Sequence, residues 1–474
     1  MAFILAFKIN LFTYTKIFDL LILVVSSDYL IIDIKSYSIL VGYMEKNFFS
    51  DVHTYFLVCI STIMALLFNL FGNVGLAIYG LLIVYSFIFF LLNVKKQPLL
   101  KTPIFYVMVA YYAYHILAVC INGSVIQLGS SILQLFFLSL IGFFQRDTKT
   151  IKHDITSLAK CMTVFGLLMS IGSLLMASFA LYFPEHVVIL PSYLKKVFES
   201  VSFSFYNGRI RGFGNQPNVS SEFCLICSMF STFLITNSSV SRKWHITSLI
   251  NIIITVYFIF IAASSRTKMV AIAAFFCCYF VSYFFVINRR NQKYKKIITV
   301  LLISTIIVII LLVLLLAFSN DFRTFIMEDV IRISSLETAS GRDDVYKTAF
   351  DLGKGHRLFG YNVETLKKAI APHAHNIYLQ LLSFAGIPGL VLFCIYFFYT
   401  AFIAGKNLIN NSFAEEEKNL NCFIFCFIFC YFIQGLPEVA GVDIMRLSSV
   451  SAQLIFASAH LIYHNKKKFS PLIE

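Results

Sequence analysis

Apolar runs of about 20 residues, each long enough to cross a bilayer as a helix, recur along the chain with polar breaks between them. They lie near 54–72, 74–93, 103–121, 127–144, 158–182, 220–236, 245–263, 267–286, 297–317, 376–403, 418–436 and 447–463. The pattern predicts an all-α polytopic membrane protein with about 12 transmembrane helices. Residues 17–34 are apolar as well but carry Asp28 and Asp33. They leave a further span or a half-inserted hairpin open, and with them a count of 13–14.

Positive charges orient these spans, because cytoplasmic loops are enriched in Lys and Arg. Lys95, Lys96 and Lys101 fill one short break, and Arg146, Lys149 and Lys152 another. Arg242 and Lys243 follow, then the dense group Arg289, Arg290, Lys293, Lys295 and Lys296, and finally Lys466, Lys467 and Lys468. With twelve spans every one of these groups falls on one side, which is then the cytoplasm. The alternate short breaks are poor in cations: 122–126 and 437–446 hold only Arg446 between them, and the 264–266 turn only Arg266.

Two longer segments, 183–219 and 318–374, then face outward. The second holds eight Lys or Arg and eight Asp or Glu, far denser than the rest of the chain. It reads as a small, partly helical outer loop. Ser340-Gly341-Arg342-Asp343 resembles a capping box opening a helix to about Leu352, ended by Gly353 and Gly355. Asn362 is placed to cap a second short helix through Ile370, and Pro372 stops it.

Composition agrees with a membrane protein and excludes other classes. Of 474 residues, 59% are hydrophobic and 13% charged, against about 25% charged in a soluble domain. No soluble core hides that much apolar surface, and disorder or a collagen repeat is excluded too. The net charge of +14 reflects the basic loops and does not point to nucleic acid. The eleven cysteines lie in or beside apolar runs and read as small buried hydrophobes. Cys224-x-x-Cys227 has metal-like spacing but no second pair nearby. The start Met1-Ala2-Phe3-Ile4, with Lys8, does not read as a cleavable signal peptide.

The middles of the spans hold almost no charge, unlike an ion-coupled transporter. His115 is the nearest thing to a titratable group there and reads as structural. Polar chemistry gathers instead at the outer rim, in four clusters. The first is Arg209-Ile210-Arg211-Gly212-Phe213-Gly214-Asn215-Gln216-Pro217-Asn218. The second is Ser264-Ser265-Arg266-Thr267-Lys268, in a tight hairpin. The third is Gly341-Arg342-Asp343-Asp344, and the fourth His373-Ala374-His375-Asn376, followed by Gly386 and Gly389. Any one arginine at a membrane end can simply snorkel to lipid phosphates, and a His at a helix start can simply cap it. Four such clusters on one face weaken those readings.

Arginine offers a fixed fork of donors for phosphate oxygens and stays charged. A departing pyrophosphate needs its growing negative charge stabilised, while an acceptor hydroxyl needs a base. Neighbouring cations disfavour imidazolium, so a His among them stays neutral and able to take a proton. Arg plus His at the outer surface therefore fits transfer from a lipid-linked pyrophosphate sugar. Asp343-Asp344 reads as dipole and capping acids rather than a metal site.

At these residues the chain resembles the O-antigen ligase and O-antigen polymerase family of bacterial membrane glycosyltransferases. The matching pieces are Arg211-Gly212-Phe213 with Pro217-Asn218, Ser265-Arg266-Thr267, Ser340-Gly341-Arg342, and His375-Asn376 with Gly386 and Gly389. They cover about residues 205–400. The resemblance implies a helical membrane fold whose large outer loop forms part of the site. It implies an undecaprenyl-diphosphate-linked oligosaccharide as donor, a glycan acceptor, and no metal ion or other cofactor. His375 would be the base; Arg266 and Arg342 would hold the diphosphate. Arg211 is carried over beside an equally placed Arg209, and Asn376 and His373 complete the set. His373 departs from a single-His motif.

The expected organisation is N-terminal transmembrane helices over 1–204, a catalytic region over 205–403 that includes the outer loop 318–374, and C-terminal helices with a basic cytoplasmic tail over 404–474. The expected location is the bacterial cytoplasmic (inner) membrane, with the site on the periplasmic or extracellular side. Polymerisation of O-antigen or capsular repeat units is the first reading, on the base rate that polymerases occur in many divergent glycan loci. Ligation to lipid A core is the second. A lipid-linked oligosaccharide flippase is the alternative of another class; it would show two repeated halves and a polar central path. A chain-length regulator or a flippase is a candidate partner.

Overall fold

The computed structural model describes residues 102–122, 132, 136, 148–182, 203–204, 209–212, 216–284, 342–361, 376–410, 412–436 and 447–469, all within one compact unit, Leu57–Glu474. Outside them lie residues 17–34, the spans 54–72, 74–93 and 297–317, most of 127–144, the basic group 289–296 and the short helix expected at 362–370. His373, His375 and the side chains of Arg342, Asp343 and Asp344 lie outside them as well.

The chain is mostly helical. In order come α1 (Pro103–Ile121), α2 (Thr148–Tyr182), a two-residue hairpin of β1 (Phe203–Ser204) and β2 (Arg209–Ile210), α3 (Pro217–Thr236), and α4 (Arg242–Tyr257). A π-helical turn (Phe258–Ala262) leads into α5 (Arg266–Ser282). Then come α6 (Arg342–Gly355), α7 (Ile377–Ile409), α8 (Glu415–Gly435) and α9 (Leu447–Phe469). Among the described residues six stretches are long and apolar enough to cross a membrane: Pro103–Ile121, Thr148–Ser178, Pro217–Thr236, Arg242–Ala262, Ile377–Ile409 and Glu415–Gly435.

Contacts between helix ends define the two ends of the bundle. At one end Lys152 of α2 pairs with Glu416 of α8, and Lys466 of α9 donates to the carbonyl of Ser412 at 2.8 Å. Thr236 at the close of α3 meets the Tyr279 hydroxyl at 2.6 Å, and that hydroxyl donates to Asn419 at 2.8 Å. Arg242 and Lys243 open α4 beside them, so several of the basic groups collect at this end. α2 begins at Thr148, ten residues before the apolar run, because Lys149 and Lys152 continue the helix past the part that hydropathy detects.

α3 is the central helix, buried on every face from Ser220 to Leu234 and packed against α2, α4, α5, α8 and α9. Helices in lipid gain nothing from apolar burial against each other, so small and hydrogen-bonding residues hold the seam. Ser231 meets Thr163 of α2 at 2.7 Å and accepts from Asn251 of α4 at 2.8 Å. Ser228 meets Thr255 of α4 at 2.5 Å. Side chains such as Leu175, Ile253, Val270 and Phe402 point outward from the bundle, as a lipid-facing surface requires.

α7 is broken near its start. Gly386 sits at φ 65°, a left-handed value, with Pro388 two residues on. The Ile387 amide would ordinarily donate to Ser383; here it donates to the Arg357 carbonyl at 2.8 Å. The vacated Ser383 carbonyl accepts from the Tyr361 amide at 2.6 Å. The segment after α6 is thus spliced into the backbone of the broken helix. α1 completes the seal: Tyr114 donates to the Leu358 carbonyl and Asn122 to that of Phe359 at 2.5 Å. α6 itself runs three residues past the expected Leu352. Gly353 lies inside it, packed so close to α7 that a Cβ would meet Leu382 Cγ at 2.5 Å.

Candidate active site

The fold carries the first two polar clusters to one end of the bundle and joins them. Arg209, on β2, donates from Nε to the Ala263 carbonyl at 2.6 Å and from Nη2 to Asn218 Oδ1 at 3.0 Å. The same Asn218 oxygen accepts from Ser265 Oγ at 3.1 Å. A strand before α3, the first turn of α3 and the turn between α4 and α5 therefore form one hydrogen-bonded unit. Arg211 follows two residues later, half-buried. Its carbonyl accepts from Ser220 Oγ at 2.5 Å. Gly212 takes φ 65° so that the chain can pass Ser220 and Ser173, where a Cβ would not fit.

The turn that ends in Arg266 is irregular. The Ala263 amide closes the π turn onto Phe258 O at 2.8 Å, and the Ser265 amide reaches Ile259 O at 3.1 Å. Between them Ser264 stands at φ 45°, the only non-glycine residue with positive φ among the described residues. For an L-residue that conformation costs about 1–2 kcal/mol. π turns and strained residues concentrate at functional sites, held by their surroundings. Here the surroundings are the contacts from Arg209 and Asn218. The strained turn presents Arg266, half-buried, as the first residue of α5.

Below this turn lies an ion pair that the sequence did not join. Glu222 of α3 and Lys268 of α5 approach to 3.8 Å, with their side chains only 4% and 1% exposed. One turn further down, Cys430 of α8 donates to the Ala271 carbonyl of α5 at 3.3 Å, tying α8 to the same site.

The fourth cluster reaches this end through α8. Asn376 caps α7, its Oδ1 accepting from the amides of Tyr378 at 2.9 Å and Leu379 at 3.0 Å. Its Nδ2 donates to the Leu436 carbonyl just past the end of α8, at 2.8 Å. The asparagine side chain is thus occupied in fixing where α7 starts, two residues after His375. Gly389 lies where a Cβ would overlap that of Ala385 at 2.3 Å, with the Tyr114 ring of α1 in ordinary contact at 3.6 Å. Arg342 is the first residue of α6, the helix that docks along the first part of α7.

Of the expected site residues, then, Arg209, Arg211 and Arg266 come together through the β2, α3 and α4–α5 contacts. Asn376 lies at the same end, and Arg342 opens the helix that packs on the start of α7. Arg209 and Asn376 are engaged within the fold. His115 is fully buried on α1 against the Tyr111 ring, 5.7 Å between centroids. Both of its nitrogens lack a hydrogen-bond partner among the described residues. No group of three or more His, Cys, Asp or Glu gathers in metal-binding fashion among the described residues.

Residues 250–394 match the O-antigen ligase family. The matched stretch takes in the second half of α4, the π turn, Arg266, all of α6, and α7 past its break. It bears out the resemblance to the O-antigen ligase and polymerase family, whose members are membrane glycosyltransferases of O-antigen ligase type. The flippase alternative gains no support from it. No curated protein sequence matches the chain.

Proposed function

From the premise that residues 250–394 form an O-antigen ligase-type region, we propose that the protein transfers glycan from an undecaprenyl diphosphate carrier at the outer face of the bacterial cytoplasmic membrane. The transfer polymerises repeat units into O-antigen or capsular polysaccharide. The carrying observation is the strained turn within the matched stretch that opens α5 with Arg266 and is held from outside that stretch by Arg209 and Asn218.

The chemistry follows from residue type. The arginine fork of Arg266, with Arg211 and Arg342, takes the diphosphate oxygens and stabilises charge as the carrier leaves. His375 removes the proton from the acceptor hydroxyl, the oxygen attacks the anomeric carbon, and the diphosphate departs with the bond's electrons. A site set up on arginines needs no divalent ion for the leaving group. His373, two residues away, lies in the same outer segment.

Ligation to lipid A core is the second reading, favoured by the description of the matched family itself. Gel analysis of surface polysaccharide from a deletion strain separates the two. Single repeats on lipid A core mean a lost polymerase. Full-length polymer held on its lipid carrier means a lost ligase. Repeats trapped on the cytoplasmic face would mean a lost flippase and end both readings.

A further inference from the structure

We propose that the buried Glu222–Lys268 ion pair is a positioning device for Arg266, setting the rotation of α5 so that the guanidinium faces the carrier diphosphate. The inference rests on the function proposed above and adds two residues to it.

Stability alone does not account for the pair. Both side chains are almost fully buried, 4% and 1% exposed, and their charged atoms stand 3.8 Å apart. That is longer than a charge-assisted hydrogen bond. Removing two charges from water is costly, and a well-packed apolar pair of the same size usually holds a fold as well or better. A charged pair inside a membrane bundle is expensive to keep and commonly marks function. Its place in the fold says which function. Lys268 is the third residue of α5 and Arg266 the first. Side chains two apart on a helix point to nearly opposite sides, about 200° around the axis. Anchoring Lys268 inward on α3 therefore directs Arg266 away from α3. The burial agrees, with Lys268 enclosed and Arg266 half-exposed.

Arg209 and Asn218 hold Ala263 and Ser265, the turn before the helix. In its first two turns α5 meets α3 through this ion pair and α8 through the Cys430–Ala271 contact, while Tyr279, near the other end of the helix, bonds Thr236 of α3 and Asn419 of α8. Glu222 is rooted in the most buried helix of the bundle, so it provides a fixed reference.

The test is binding of undecaprenyl diphosphate, with undecaprenyl monophosphate as comparison, to purified full-length protein in detergent, read by native mass spectrometry. The double variant Glu222→Gln with Lys268→Met removes both charges and leaves the volume. It should keep the wild-type unfolding temperature within a few degrees, as neutral replacement of a buried pair allows. Its affinity for the diphosphate should fall about tenfold or more, the worth of a misdirected bidentate contact, with affinity for the monophosphate changed much less. Glu222→Asp keeps the charge and withdraws the carboxylate by one methylene. It should show the same selective loss, and it carries the test if the double variant does not fold. Arg266→Ala is the reference. If Arg266→Ala loses the diphosphate while the folded variants at 222 and 268 bind it normally, the positioning role is wrong and the functional reading stands. If Arg266→Ala itself binds diphosphate normally, the functional reading fails and this inference with it.

Discussion

Arg209 grips the Ala263 carbonyl at 2.6 Å across 54 residues of sequence. Its guanidinium also reaches Asn218, so one side chain locks the strained turn before α5. Its neighbour Arg211 is held through its backbone carbonyl, which accepts from Ser220. Arg209→Ala should therefore lower stability by about 1.5–3 kcal/mol, the range for a hydrogen bond to a charged group. Arg211→Ala should leave stability nearly unchanged and weaken donor binding. Thermal unfolding in detergent, paired with a lipid-diphosphate binding assay, checks both. Equal destabilisation by the two substitutions would contradict this division of labour.

The base and the phosphate clamp should separate in kinetics. His375→Ala should remove most activity, a loss of about 10²–10⁴-fold for a general base, with donor binding retained. Arg266→Lys keeps the charge but loses the two-pronged geometry, so it should hurt donor binding as well as rate. His373→Ala should be the milder histidine variant. The assay is polymer formation from a lipid-diphosphate repeat unit in reconstituted membranes, normalised to folded protein. A dead His373→Ala beside an active His375→Ala would reverse the assignment.

Activity in purified membranes should survive EDTA, since arginines and not a divalent ion neutralise the diphosphate. Loss with EDTA that magnesium or manganese restores would move the role to Asp343 and Asp344.

Topology is testable with an impermeant thiol reagent on intact cells carrying single-cysteine variants. Lys354→Cys, on α6, should label; Asn291→Cys, in the basic group 289–296, should not. The opposite pattern would invert the map.

Gly386→Ala should be costly out of proportion to one methyl group. Alanine resists φ 65°, at about 1–2 kcal/mol, and its Cβ would overlap the Leu358 carbonyl. The splice between α7 and the segment 357–361 should then open. Limited proteolysis should report it as faster cleavage in that segment, while the untouched Gly405 position, with only Phe425 near at 3.7 Å, accepts alanine quietly.

Much of this architecture was legible in the sequence because a bilayer imposes one length on every crossing helix. Apolar runs found α1, α3, α4 and α8 within a few residues. They missed the first turns of α2, since Lys149 and Lys152 belong to a helix but not to the apolar layer. The outer clusters were legible as polar residues in an apolar chain. Their roles were less so. Arg209 and Arg211 are equivalent in sequence and differ only in what lies opposite them. Gly386 and Gly389 stood out as motif glycines, but a glycine followed by proline is common in membrane helices, and only the donor exchange between Ile387 and Ser383 reveals a break. The Glu222–Lys268 pair joins residues on two different helices, and nothing local in either helix announces the other.

The break in α7 also sets the altitude of the reaction. Beyond Gly386, residues 387–409 form a helix of roughly 35 Å at 1.5 Å per residue, enough by itself to cross a hydrocarbon core of about 30 Å. The short piece before it, 377–385, is left over, and in the proposed orientation it would stand among the lipid headgroups. In the proposed reaction that is the depth at which a carrier's diphosphate already floats. A donor could then arrive by sliding sideways within the leaflet, its tail never leaving oil, while the growing glycan and the incoming hydroxyl stay in water. The enzyme would work at a shoreline, and the splice of residues 357–361 into α7 would be what keeps that shoreline from shifting.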